Sequence, residues 1–123
     1  MGATSISQIA YGTSMKDAFI DAQNDAREMY GNNPYSGSIA ACDGYIAKNI
    51  PETSMFKDKA ITKADASEIF KLLQNAEDEI LEASDKWGPC TGVHLGTSDI
   101  PINENNPDRG FLEVYWFCGM VPE

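Results

Sequence analysis

Several chemically useful groups are scarce in this chain. Its 123 residues include one histidine, three cysteines and nine cations, of which only Arg27 and Arg109 are arginines. Cys42, Cys90 and Cys118 are odd in number, lack CxxC spacing and stand in apolar surroundings, which argues against a disulfide framework or a thiolate metal site and for reduced, buried thiols. Nineteen acids against nine bases leave a net charge of −10, which disfavours DNA, RNA and anionic membranes as partners, because phosphate binding needs clustered cations. No apolar run approaches the roughly 20 residues that span a bilayer, and the first residues lack a signal-peptide layout, so the cytoplasm is the expected compartment. The patterns G-x-G-x-x-G, G-x-x-x-x-G-K-[ST], H-E-x-x-H and G-x-S-x-G are missing as well, which leaves catalysis without support, and no cofactor or metal is expected.

What the chain does have is concentrated at its end. Residues Arg109 to Met120, RGFLEVYWFCGM, gather aromatic and branched side chains between glycines and predict a central, buried strand. Period two places Leu112, Val114, Trp116 and Cys118 on one face, a plain core face. Arg109, Phe111, Glu113, Tyr115 and Phe117 fall on the other, where charge mixed with aromatics suits a pocket wall or a subunit interface.

Upstream, Thr4 to Tyr11 reads as a first strand. Ser14 with Asp17 has N-cap spacing, and Met15, Ala18, Phe19, Ala22, Ala26 and Met29 form the apolar stripe of a helix over 15–30. Asp43-Gly44 between short apolar runs predicts a hairpin joining strands at 38–42 and 45–48. After an irregular connection over 49–61, Thr62 with Asp65 repeats the capping spacing and opens a second helix that runs to about Lys86, where Trp87-Gly88-Pro89 must end it. Residues 90–96 read as a strand and 97–108 as a long polar loop. The order β-α-β-β-α-β-β, with both amphipathic helices on one face of a mostly antiparallel sheet, predicts a single α+β domain over 1–123. Such an architecture does not select a function.

Function is therefore sought in the scarce groups. Arginine grips phosphate bidentately and stacks on bases, so Arg109, beside a loop holding Asn103, Asn105 and Asn106, is the leading ligand candidate. Against it stands a structural ion pair with Asp108 or Glu113. Arg27 on the first helix is the second candidate, with a bland contact to Gln23 as its alternative. Phe111, Tyr115, Trp116 and Trp87 supply aromatic surface, although terminal-strand aromatics usually belong to a core. His94 has no nearby cysteine or carboxylate pair in sequence that suggests a triad or a metal site, and a lone strand histidine is more often structural than catalytic. The candidate ligand-binding set is Arg109, Phe111, Tyr115, Trp116, Asn106, Arg27 and His94, with no catalytic residue. The acidic far side of the second helix, Glu68, Glu77, Asp78, Glu79, Glu82 and Asp85, is a solvated face in its plain reading and a mimic of nucleic-acid phosphates in the other.

Residues 10–40, AYGTSMKDAFIDAQNDAREMYGNNPYSGSIA, with KWGP at 86–89 and the closing RGFLEVYWFCG, resemble a family of small phage proteins, the anti-Thoeris signal-sequestering proteins. The resemblance covers about two thirds of the chain and includes no catalytic signature. It implies a non-enzymatic sponge that holds glyco-cyclic ADP-ribose, made by bacterial TIR-domain enzymes, in pockets at the subunit boundaries of a homo-oligomer in the host cytoplasm. It also implies that Arg109 meets the ligand's phosphates, that aromatics sandwich its base, and that Arg27 serves a second pocket for cyclic oligonucleotides.

Overall fold

The fold is a computed structural model that describes residues 3–30, 39, 42, 44–50, 60–83, 89–106, 108 and 110–122. Among the described residues the strands and α-helices follow in the order β1 (Ala3–Gly12), α1 (Met15–Tyr30), β2 (Tyr45–Ala47), α2 (Ala66–Ala83), β3 (Cys90–Pro101) and β4 (Phe111–Pro122). They make an α+β fold around a four-stranded mixed sheet in the order β1-β4-β3-β2. The aromatic strand β4 is central, as its composition requires, and pairs antiparallel with β1 on one side and with β3 on the other.

Local chemistry explains why the elements start where they do. The Asp17 amide donates to Ser14 Oγ at 3.2 Å, and the Ala18 amide donates to the Ser14 carbonyl at 3.0 Å, so the predicted cap of α1 forms. Before α2, the Thr62 amide donates to Asp65 Oδ2 at 2.9 Å, and residues Lys63–Asp65 make a 3-10 turn that leads into the helix. Gly12 closes β1 against α1 at a spacing that no side chain tolerates, since a Cβ there would lie 2.7 Å from the Ala18 nitrogen.

Two sequence expectations are corrected. The hairpin at Asp43-Gly44 does not form: β2 pairs with β3 in parallel, Tyr45 opposite Cys90, and neither Ile39 nor Cys42 belongs to a strand. The other residues of that arm, Asp43 included, lie outside the described residues. A parallel neighbour needs a crossover, and α2 supplies it between β2 and β3. Nor do the two helices share a face. Ala18, Phe19, Ala22 and Ala26 of α1 pack with Ile6, Ala10, Phe117 and Val121, whereas Ile69, Leu73, Ala76 and Ile80 of α2 pack with Val93, Val114, Trp116 and Cys118.

Topology accounts for the second correction. The link from β1 through α1 to β2 runs across the sheet one way, and the link from β2 through α2 to β3 runs back. Right-handed crossovers in opposite directions put their helices on opposite faces. Each face of β4 thereby carries one helix.

The strand expected at 90–96 continues to Pro101, so the polar loop shrinks to residues 102–110. It is closed by the Ile102 amide donating to the Gly110 carbonyl at 3.0 Å, with Gly110 at φ +98°, a region that favours glycine. The expected helix end at 84–88, Trp87 included, and most of the 49–61 connection lie outside the described residues. Cys42, Cys90 and Cys118 are free and buried, in line with the sequence. Among the described residues no helix is long and apolar enough to cross a membrane.

Candidate functional site

Polar groups converge at the end of the sheet where α1 begins, on the α1 side of β3 and β4. His94 of β3 lies directly across from Tyr115 of β4 in the pairing register, with ring centroids 5.2 Å apart and planes tilted by 42°. Two residues upstream on the same face, Glu113 reaches back to the histidine, and its Oε2 lies 2.9 Å from His94 Nε2. Thr97 Oγ1 donates to that same oxygen at 3.0 Å. The His94 side chain is 51% exposed and that of Glu113 33%, so the pair is open to solvent from above and rests on the largely buried Tyr115 below.

The floor of this shelf comes from the fold. Leu95 is an extra residue in β3, because pairing steps from His94 opposite Tyr115 to Gly96 opposite Val114. This bulge keeps Leu95 in the α2-side core while Thr97 falls opposite Glu113 on the α1 side. From the helix, Asp17 approaches close enough to act on Tyr115, and it accepts a hydrogen bond from Thr13 Oγ1 at 2.6 Å. Burial pushes the Tyr115 hydroxyl above the usual tyrosine range, and the Glu113 carboxylate, Tyr45 and Asp17 push it further. Tyr115 is therefore neutral at physiological pH, and its buried ring is the floor on which His94 rests.

Chemically the shelf offers the half-exposed His94 imidazole as its ring face, the Glu113 carboxylate and the Thr97 hydroxyl, while Tyr115, 6% exposed, lies beneath as support. It can stack a planar group and accept hydrogen bonds from sugar hydroxyls. An imidazole held by a carboxylate also has the parts of a general base.

The sequence-predicted residues divide sharply. His94 and Tyr115 come together, and Phe111, 44% exposed, begins the same face of β4. Trp116 does not join them: it is fully buried on the opposite face, its indole N–H donating to Ser7 Oγ at 2.8 Å, so it is core and no ligand shelf. Arg27 is exposed in the last turn of α1 and donates to Asn24 Oδ1 at 3.3 Å. It stands ten residues beyond Asp17, about 15 Å along the helix axis, and so belongs to a different part of the surface. The bland contact to Gln23 does not form either, since Gln23 Nε2 donates to the Ile39 and Cys42 carbonyls at 3.3 and 3.1 Å. Asn106 is exposed in the 102–110 loop, its amide donating to the Asn103 carbonyl at 3.0 Å. Arg109 lies outside the described residues, between Asp108 and Gly110.

Glu113, Thr97 and Asp17 are the site residues that the sequence did not nominate. Glu113 stands on the mixed face, yet nothing in sequence spacing ties it to His94, 19 residues away. Strand pairing does. Comparison with protein-family models, curated proteins and solved structures finds no match.

Proposed function

We propose that this chain is a phage anti-defence protein that binds TIR-derived glyco-cyclic ADP-ribose in the host cytoplasm and holds it without cleaving it, so that the signal never reaches its effector. The observation that carries the reading is the shelf of His94, Tyr115, Glu113 and Thr97 on the very strand face that mixes charge with aromatics. The half-exposed His94 ring suits an adenine, and the Glu113 carboxylate suits ribose hydroxyls. Arg109, which opens the same sequence stretch, is the residue suited to the phosphates. One face of the shelf is open, which fits a pocket completed by a second subunit of a homo-oligomer. The resemblance of residues 10–40, 86–89 and the closing strand points to the same class of ligand.

The test is to incubate the protein with glyco-cyclic ADP-ribose, remove free ligand, and release the bound fraction by heat. Recovery at unchanged mass supports sequestration. A cleaved product overturns it and assigns the His94–Glu113 pair to hydrolysis. Replacing Arg109 by Ala costs about 2–5 kcal/mol of affinity if it is a buried phosphate partner.

A second reading rests on a separate observation: Glu68, Asp78, Glu79 and Glu82 are exposed along α2, a row of acids that could occupy the groove of a host nuclease or polymerase. It requires strongly salt-dependent protein binding that is lost when those acids are neutralised and is indifferent to Arg109.

A further inference from the structure

The outer side of β1 is, among the described residues, an open sheet edge. Among the described residues β1 pairs only with β4, so alternate backbone N–H and C=O groups over Ala3–Gly12 face away from the sheet. This ten-residue strand, ATSISQIAYG, carries no proline and no charge of its own, the usual protections of an edge. The opposite edge, β2, is only three residues long.

Beside the β1 edge runs α1, and two adjoining grooves of about 240 and 260 Å³ lie between them. Asp17 and Asp21 line one and Asp21 and Asp25 the other, so a row of three carboxylates at i, i+4 and i+8 follows the edge. The grooves also fix direction: Tyr11 to Thr13 meet Asp17 and Asp21, whereas Gln8 to Tyr11 meet Asp21 and Asp25, so helix and strand run antiparallel. Among the described residues no cation pairs with Asp21 or Asp25.

We propose that this edge accepts an extended basic segment of a partner protein as a fifth strand, with alternate Lys or Arg side chains set against the carboxylate row. The spacings match. Residues four apart on a helix lie about 6 Å apart along its axis, and alternate residues of a strand lie about 6.7 Å apart, so three successive same-side cations of an added strand meet three successive carboxylates. On the other side of the added strand the neighbours are Ile9 and Tyr11, which are half-buried with the α2-side core. The partner segment therefore alternates basic with apolar residues, backbone pairing giving affinity and the alternation giving register. A second copy of this chain fits poorly, because antiparallel pairing of two β1 edges sets two carboxylate rows side by side.

The experiment uses the full chain and two fluorescein-labelled peptides of equal composition, Arg-Val-Arg-Val-Arg-Val and Arg-Arg-Arg-Val-Val-Val, titrated at about 0.15 M salt. The alternating peptide binds about tenfold or more tighter than the block peptide, and D21N/D25N weakens it by a similar factor. Both aspartates are exposed and Asp17, which accepts from Thr13, is left in place, so the helix is retained, as circular dichroism will verify. Bound alternating peptide also slows amide hydrogen exchange at alternate residues of Ser5 to Tyr11. Equal affinity of the two peptides, no binding, or no slowing of β1 exchange overturns the proposal. So does a D21N/D25N chain that self-associates through β1 while still binding the peptide, which would reduce the carboxylate row to a guard against self-pairing.

Discussion

The two faces of β4 make opposite use of one strand. Toward α2, Val114, Trp116 and Cys118 are sealed against Ile69, Leu73, Ala76 and Ile80, and the Trp116 indole nitrogen is satisfied by Ser7 Oγ. Toward α1 the face is graded. At one end Phe117, Phe19 and Tyr45 pack with ring centroids 5.0 to 5.9 Å apart, a dry aromatic cluster. At the other end Tyr115 gives way to the half-buried Glu113 with its partners His94 and Thr97. The difference teaches where binding can reside in so small a fold. A face covered along its length by a helix stripe has nothing left to offer a ligand, whereas a face whose helix begins late keeps an uncovered end.

The contrast can be broken most decisively at its dry side. Trp116→Ala removes a fully buried ring and strands the Ser7 hydroxyl, and is expected to cost about 3–5 kcal/mol in urea denaturation while leaving the shelf residues in place. A loss below about 1 kcal/mol would mean that the α2 face is not sealed. On the graded face the same logic runs through overpacking. A Cβ on Gly92 would meet Met15 Sδ and the Phe117 ring, each at 2.9 Å, and because the ring is wedged between Phe19 and Tyr45 the Gly92→Ala variant should lose about 1–3 kcal/mol.

Titration separates the faces further. Burial in the α2-side core pushes the Cys118 thiol up to about 12 from an ordinary 9.0, with Glu77 adding to it. The unfolded chain loses that proton above pH 9 while the folded chain keeps it, so the stability this thiol contributes is complete below pH 9 and is lost as pH rises toward 12. Each unit above 9 removes up to about 1.4 kcal/mol, and Cys118→Ala should flatten that slope in denaturation curves between pH 8 and about pH 11. The hydrogen bond between Cys90 and Cys42 raises the first thiol and lowers the second, so this pair works against itself and leaves Cys118 as the clean probe.

The smallest change in stability is expected at the open end. His94→Ala breaks a half-exposed pair, and exposed pairs are worth under about 1 kcal/mol, so the melting temperature should barely move. Under the proposed function, affinity for glyco-cyclic ADP-ribose in calorimetry should nevertheless fall about tenfold or more, since one wall of the shelf is gone. An unstable variant with unchanged affinity would reverse the assignment of the two faces.

Local elements were legible from residue patterns because their causes are local. Ser14 with its apolar stripe marked α1 at Met15–Tyr30, and branched and aromatic density marked β4 as central. Asp43-Gly44 misled for a definite reason: a turn dipeptide records what the backbone can do, while the Tyr45 strand was claimed by the distant edge of β3. Trp116 misled in the ligand set because an aromatic side chain serves a core and a base shelf equally well, and only the position of α2 decides between them.

Residue spacing alone accounts for the helix stripes, except that Met29, expected on the α1 stripe, is 76% exposed near the helix end, and for the caps, the acidic surface and the two-sided closing strand, because each follows from neighbours within a few residues. Only the tertiary structure decided that the helices lie on opposite faces, that β2 runs parallel to β3, and that His94 meets Glu113 at 2.9 Å. Those outcomes depend on crossover direction and on a bulge at Leu95, which set the register between segments far apart in the chain and leave no mark on the spacing within either one.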